Sequence, residues 1–294
     1  VSLRPSQLPK VRRQTLRHLR DSASPLRAKT SPESALGLDA LATILEAGDL
    51  FWVQQDMAAL SVHAGEQLAA ARWATPDRPA PCGLLFWQDG IGHMDAQGVQ
   101  IPVEACAWGP YQGEMLLWLL MSRDRLVAES AAVRPDLTLV TEEIPPLVPV
   151  SAATIPVTAN PLPMVEVDPG LPQPVVAALA SAWLLMQQPL LIDRTRECAD
   201  KPTARAHARD GLPAPEVTVV DLRRQYTPQD QDPDAGTDGR RYRHRWVVSG
   251  HWRTYQSDRY SEETRGSKQW IPSYVKGPEG APLLSTEKVN VWRR

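Results

Sequence analysis

The residues best suited to chemistry lie between 240 and 294, where cations and aromatic rings are interleaved. Arg241, Arg243, Arg245 and Arg253 alternate with Tyr242, His244, Trp246 and Trp252, and Trp270, Tyr274 and Lys276 follow. A polyanion needs this combination when it is a single strand of nucleic acid: cations follow the phosphates while flat rings stack on bases, at roughly 1–3 kcal/mol per base. The same residues have a plainer use. A small sheet needs large aromatics to make a core, and arginines pair with carboxylates or stack on rings.

A catalytic use is also open. In a metal-independent ribonuclease, His251 or Tyr274 would move protons while Arg253 and Lys276 stabilise charge developing on phosphorus. His244 and His251 are seven apart and would face opposite sides of a regular strand, which argues against a shared metal. The chain has no Gly-rich phosphate loop ending in Lys-Ser/Thr, no Gly-x-Ser-x-Gly turn and no His-Glu-x-x-His helix, so the common enzyme classes lose their usual support. No cofactor is expected.

Strict alternation from Arg241 to Arg253 predicts a strand with one aromatic and one basic face, and Gly250 permits a bulge or bend within it. Lys268 to Lys276 and Thr286 to Arg294 read as two further strands. The turn residues Gly277, Pro278, Glu279 and Gly280 separate them, giving a three-stranded antiparallel meander. Residues 240–294 hold twelve Lys/Arg against five Asp/Glu, and the rest of the chain holds 20 against 29. This division predicts a polyanion-facing module or one that docks on an acidic partner.

The fold class expected is α+β: an antiparallel sheet with packed helices, joined to the C-terminal meander. Residues 1–30 read as a basic N-terminal arm, helical from Leu8 to Leu19, and 31–224 as an α+β domain. Ser34 is placed to cap a helix from Ala35 to Ala47, and Asp56 one from Met57 towards Arg72. Leu50 to Gln54, Gly83 to Gln88, Val99 to Trp108, Glu114 to Met121, Leu137 to Thr141 and Pro215 to Arg224 read as strands. Prolines from Glu143 to Pro174 predict an extended segment draped over the sheet, followed by a helix from Val175 to Gln187. Asp193 to Asp210 reads as another helix, broken at Pro202 and bearing Arg196, Lys201, Arg205 and Arg209 as a solvated surface or a second basic strip. Residues 225–239, with Asp230, Asp232, Asp234 and Asp238, form an acidic linker.

Cys82, Cys106 and Cys198 are unpaired in spacing and read as small buried hydrophobes of a reducing compartment. No apolar stretch follows the N-terminal cations, and no window reaches the roughly 18 apolar residues of a membrane span. A cytoplasmic protein with no membrane partner is expected.

Trp246-Val-Val-Ser-Gly-His-Trp-Arg253, Trp270-Ile-Pro-Ser-Tyr-Val-Lys-Gly-Pro278 and Val289-Asn-Val-Trp-Arg-Arg294 together resemble the end of uncharacterised proteins from actinobacteria and their phages and mobile elements. The likeness extends through Phe51 to Leu60, Pro81 to Trp87 and Val217 to Arg224. It implies a mobile-element habitat, with roles such as DNA handling, regulation or toxicity, and transfers no catalytic residue. Three functions follow: non-enzymatic nucleic-acid binding through Arg241, Arg243, Arg245, Arg253, Trp270, Tyr274 and Lys276; the ribonuclease; or docking on a protein partner.

Overall fold

A computed structural model describes residues 3–68, 72–73, 77–96, 99–133, 139–157, 162–163, 171–189, 191–222, 245–248, 250–255, 260–261, 265–266, 268–271, 274–276 and 283–284. At residues 33, 72–73, 96, 133, 162–163, 245–248, 274–276 and 283–284 the description is of the backbone alone. The chain divides into two compact units, 1–223 and 224–294. The acidic-linker expectation for 225–239, the strand expected over 286–294, and Arg241 and Arg243 lie outside the described residues.

The first unit begins with helices α1 (Leu8–Arg20), α2 (Pro25–Ala28) and α3 (Pro32–Ala47). Strand β1 (Asp49–Val53), helix α4 (Gln55–Glu66), strand β2 (Arg72–Trp73) and strand β3 (Gly83–Trp87) follow. The hairpin β4 (Gly92–Ala96) and β5 (Val99–Val103) precedes β6 (Ala105–Tyr111), β7 (Glu114–Ser122) and helix α5 (Arg123–Val133). Next come β8 (Leu147–Ile155), β9 (Leu162–Pro163), helix α6 (Gln173–Met186), β10 (Ile192–Cys198), helix α7 (Lys201–Arg209) and β11 (Glu216–Leu222).

The fold is α+β, built on a seven-stranded sheet of order β10-β11-β1-β3-β6-β7-β8. The sheet is mixed, which corrects the expectation of an antiparallel one: β1 runs parallel to both β3 and β11, while the other pairings are antiparallel. Helix α4 is the crossover between β1 and β3, so the sheet contains a βαβ unit. Central strands read as continuous apolar runs because both sheet faces are covered. On one face Leu50, Trp52, Leu84, Phe86, Leu116, Leu120, Val217 and Val219 cluster with Leu8, Leu19, Leu38, Leu41 and Leu45 of α1 and α3. On the other, Trp108 packs between Phe51 (ring centroids 5.9 Å apart) and Trp183 of α6 (5.2 Å).

Close approach sets several residue types. Gly83 lies opposite Trp108, and a Cβ there would sit 2.5 Å from the indole. Gly65 of α4 meets the backbone of α6, where a Cβ would fall 2.7 Å from the Ala178 nitrogen. Helix α6 is buried from Val175 to Met186 on all sides, as its composition allows.

Four local expectations are revised. Helix α3 starts at Pro32, and Ser31, not Ser34, is its cap, with Ser31 Oγ accepting from the Ser34 N–H at 3.2 Å. Residues 147–155 are strand β8 at the sheet edge; Pro149 sits where the register with β7 shifts, so its missing N–H interrupts a ladder already broken. Residues 192–198 are strand β10 at the opposite edge, and Pro202 lies in the first turn of α7 instead of breaking a helix. The N-terminal residues form part of the core: Leu8, Thr15 and Leu19 are fully buried, and the Thr15 hydroxyl accepts from the Leu147 N–H at 3.1 Å.

Arginines within α1 and α2 hold these helices in place. Arg12 donates to the Gly48 carbonyl at the end of α3 (3.0 Å); burial pulls its pKa down, against the attraction of Asp49. Arg27 donates to the carbonyls of Leu19 and Ala35 and pairs with Asp39. Cys106 is buried, and burial raises its thiol well above the ordinary value. Cys198 is exposed, contrary to the expectation for it. No described helix is long and apolar enough to cross a membrane.

The second unit contains strands β12 (Arg245–Val248), β13 (His251–Thr254), β14 (Lys268–Ile271), β15 (Tyr274–Lys276) and β16 (Leu283–Leu284). The single strand expected from Arg241 to Arg253 is divided next to Gly250. Its halves pair antiparallel with β15 and β14, and both ladders keep one register, from Trp246↔Lys276 to Thr254↔Lys268. Strand β16 pairs with β12 in parallel, so the arrangement is a long broken hairpin with a parallel third strand instead of a three-stranded meander.

Candidate nucleic-acid interface

The register of the hairpin sorts the candidate residues by face. Trp252 lies opposite Trp270, Val248 opposite Tyr274 and Trp246 opposite Lys276, all at positions of one parity. His251 opposite Ile271, and Arg253 opposite Gln269, occupy the alternate parity. A cross-strand pair shares one face, and neighbouring pairs alternate.

Of this set, Trp270 is buried. Trp270 is 3% exposed and meets Trp252 edge-on, with ring centroids 5.3 Å apart and planes at 66°. Gly250 leaves room for it: a Cβ at that position would lie 2.6 Å from Trp270 Cζ2. The expectation that Trp270 stacks on bases is therefore corrected, because a ring enclosed by its neighbours has no face to offer.

The other side is open. Arg253 is exposed on β13, with its guanidinium 5.2 Å from the centroid of the Tyr255 ring and its Nη2 donating to the Tyr260 hydroxyl at 3.0 Å. Tyr255 and Tyr260 meet edge to face at 4.7 Å, and the Tyr255 hydroxyl donates to the Gln269 side chain on the neighbouring strand. The connecting segment is held by Gly266 N–H donating to the Tyr255 carbonyl at 2.8 Å. Ring and hydroxyl partners orient the Arg253 guanidinium, and neither of these partners is a carboxylate that would cancel its charge.

The remaining candidates are placed by strand. Arg245 lies in β12 opposite Leu283, and Tyr274 and Lys276 lie in β15. His251 is exposed on β13, two residues from Arg253 at the same parity, whereas Tyr274 and Lys276 fall at the alternate positions. The quartet of the nuclease reading is thereby split between two ladders, His251 and Arg253 in β13 and Tyr274 and Lys276 in β15. Tyr255, Tyr260 and Gln269 were not singled out from sequence, although the Arg253-x-Tyr255 spacing signals a shared strand face. Among the described residues no three His, Cys, Asp or Glu side chains gather as a metal site would require.

No family model, curated protein or solved structure matches the chain.

Proposed function

We propose that the chain is a non-enzymatic nucleic-acid-binding protein whose C-terminal unit contacts single strands through its arginine-bearing face. The observation that carries this reading is Arg253, an exposed guanidinium positioned by Tyr255 and Tyr260, with no carboxylate partner among the described residues. A phosphate accepts from such a group in bidentate fashion, and the two tyrosines supply the aromatic component that the buried Trp270 does not. Arg241, Arg243, Arg245 and Lys276 extend the cationic composition of the same segment, and Tyr274 adds a further ring. The resemblance to actinobacterial and phage proteins supports a phage or mobile-element setting.

Anisotropy titration of labelled single-stranded DNA and RNA at two salt concentrations tests the proposal. Arg253→Gln should weaken binding by about tenfold and make the salt dependence shallower by about 0.7 in log–log slope, the share of one phosphate on a single strand. Unchanged affinity and slope would remove Arg253 from the interface. Cleavage of the RNA probe, abolished by His251→Ala, would replace binding with nuclease activity.

A further inference from the structure

We infer that the first unit carries a separate surface for the sugar–phosphate backbone of duplex nucleic acid, formed by α1 and α7. On α1, Lys10, Arg13 and Arg17 recur at helical spacing, and on α7 Lys201, Arg205 and Arg209 do the same. Each set forms one stripe down its helix. At about 1.5 Å per residue the two stripes run for roughly 10 and 12 Å, a length over which a duplex presents several phosphates, at one charge per about 1.7 Å.

The stripes begin at a common point. The Asp200 N–H donates to the Ser6 carbonyl at 3.0 Å, just ahead of α1, and the Asp200 carboxylate caps α7 through the Thr203 N–H at 2.9 Å. Lys10 and Arg13 both lie near enough to act electrostatically on that carboxylate. None of the six cations forms an ion pair or side-chain hydrogen bond among the described residues. Other arginines of α1 and of the neighbouring strand β10 are already engaged: Arg12 with Gly48, Arg20 with Glu46 at 3.1 Å, and Arg196 of β10 with Glu216 at 3.3 Å. Six cations without an ion pair or side-chain hydrogen bond among the described residues are therefore concentrated in the part of the chain where carboxylates outnumber Lys and Arg.

The chemistry of the stripes selects the partner. Apart from cations, the exposed positions of α1 and α7 are Pro202 and Ala208, with no aromatic or large apolar side chain among them. Single-strand binding uses rings to stack on bases, and protein interfaces use buried aromatic or aliphatic anchors. A duplex backbone requires neither, only cations at phosphate spacing, and such binding reads no sequence. All six cations belong to the first unit, so the inference does not rest on the Arg253 reading.

The full chain carrying Lys10→Gln, Arg13→Gln, Arg17→Gln, Lys201→Gln, Arg205→Gln and Arg209→Gln tests it, with glutamine preserving helix propensity. A labelled duplex should bind at least about tenfold more weakly, and the log–log salt slope should fall by about 0.9 for each phosphate no longer neutralised. A second variant, Arg13→Lys, Arg17→Lys, Arg205→Lys and Arg209→Lys, should bind duplex as the native chain does. Unaltered duplex affinity and slope in the glutamine variant would overturn the inference, as would an equal weakening in the lysine variant. Displacement of duplex by polyglutamate at equal charge concentration would also overturn it, in favour of an acidic protein partner. Single-strand titrations of the same variants report separately on the Arg253 surface.

Discussion

At the scale of single residues, the C-terminal unit shows how one amino-acid type serves opposite ends. Trp270 and Tyr255 are both aromatic and both lie near Arg253 in sequence register, yet one is buried and the other is half-exposed beside the Arg253 guanidinium. Gly250 decides the first case by admitting the Trp270 ring. Replacing it with valine places a branched carbon where the indole stands, and overpacking of this kind costs about 1–3 kcal/mol. The Gly250→Val variant should lose the near-ultraviolet circular dichroism of the Trp252–Trp270 pair, while Arg253→Gln should retain it. An unchanged spectrum in Gly250→Val would show that the pair does not depend on the glycine. Arg253 was legible in the sequence because alternation separates faces. Burial of Trp270 was not, since a ring that stacks on a base and a ring that fills a core are the same letter.

At the scale of elements, α7 depends on its first turn. The Asp200 carboxylate caps α7 through Thr203, while the backbone N–H of the same residue bonds the Ser6 carbonyl ahead of α1, so the carboxylate orients the α7 stripe and the backbone ties it to α1. The hydrogen bond to Thr203 holds the Asp200 carboxyl below the ordinary value of 3.8, with Lys10 and Arg13 adding to the effect and burial opposing it. A depressed folded-state value means that the contribution is complete above the unfolded value and disappears as pH falls through the folded one. Asp200→Ala should therefore destabilise the chain by about 1 kcal/mol near neutral pH, with the difference from the native chain shrinking in acid. Thermal unfolding of both proteins across pH checks this, and a difference constant down to low pH would assign the loss to something other than the carboxylate. The neighbouring strand β10 was read as helix because Asp193, Arg194, Thr195, Arg196 and Glu197 look like a solvated surface. Charged residues on an edge strand produce the same composition, since they discourage further pairing. Strand β8 was obscured by Pro149 for a related reason, because an edge strand tolerates a proline at a bulge where a central one does not. The parallel pairing of β1 with β3 was beyond local periodicity altogether: the strands and α4 could each be read, but their order in the sheet is a non-local choice.

At the scale of the whole molecule, net charge near zero conceals two different cationic surfaces on two units. One combines guanidinium with aromatic rings, and the other presents cations alone on a pair of helices. Chemistry that differs in this way favours different nucleic acids: flexible strands gain from rings that can meet bases, whereas duplex bases are already stacked and leave mainly phosphates to bind. If both surfaces act, one chain should bind both ligands at once. A labelled duplex held by the protein should then stay bound when unlabelled single strand is added to saturation, and sedimentation should show a ternary complex containing both. Displacement of one by the other, mole for mole, would mean that a single surface serves both and that the division by unit is wrong. The two variant sets identify which surface that is: if Arg253→Gln alone abolishes both activities it is the C-terminal face, and if the α1 and α7 substitutions do so it is the helical one.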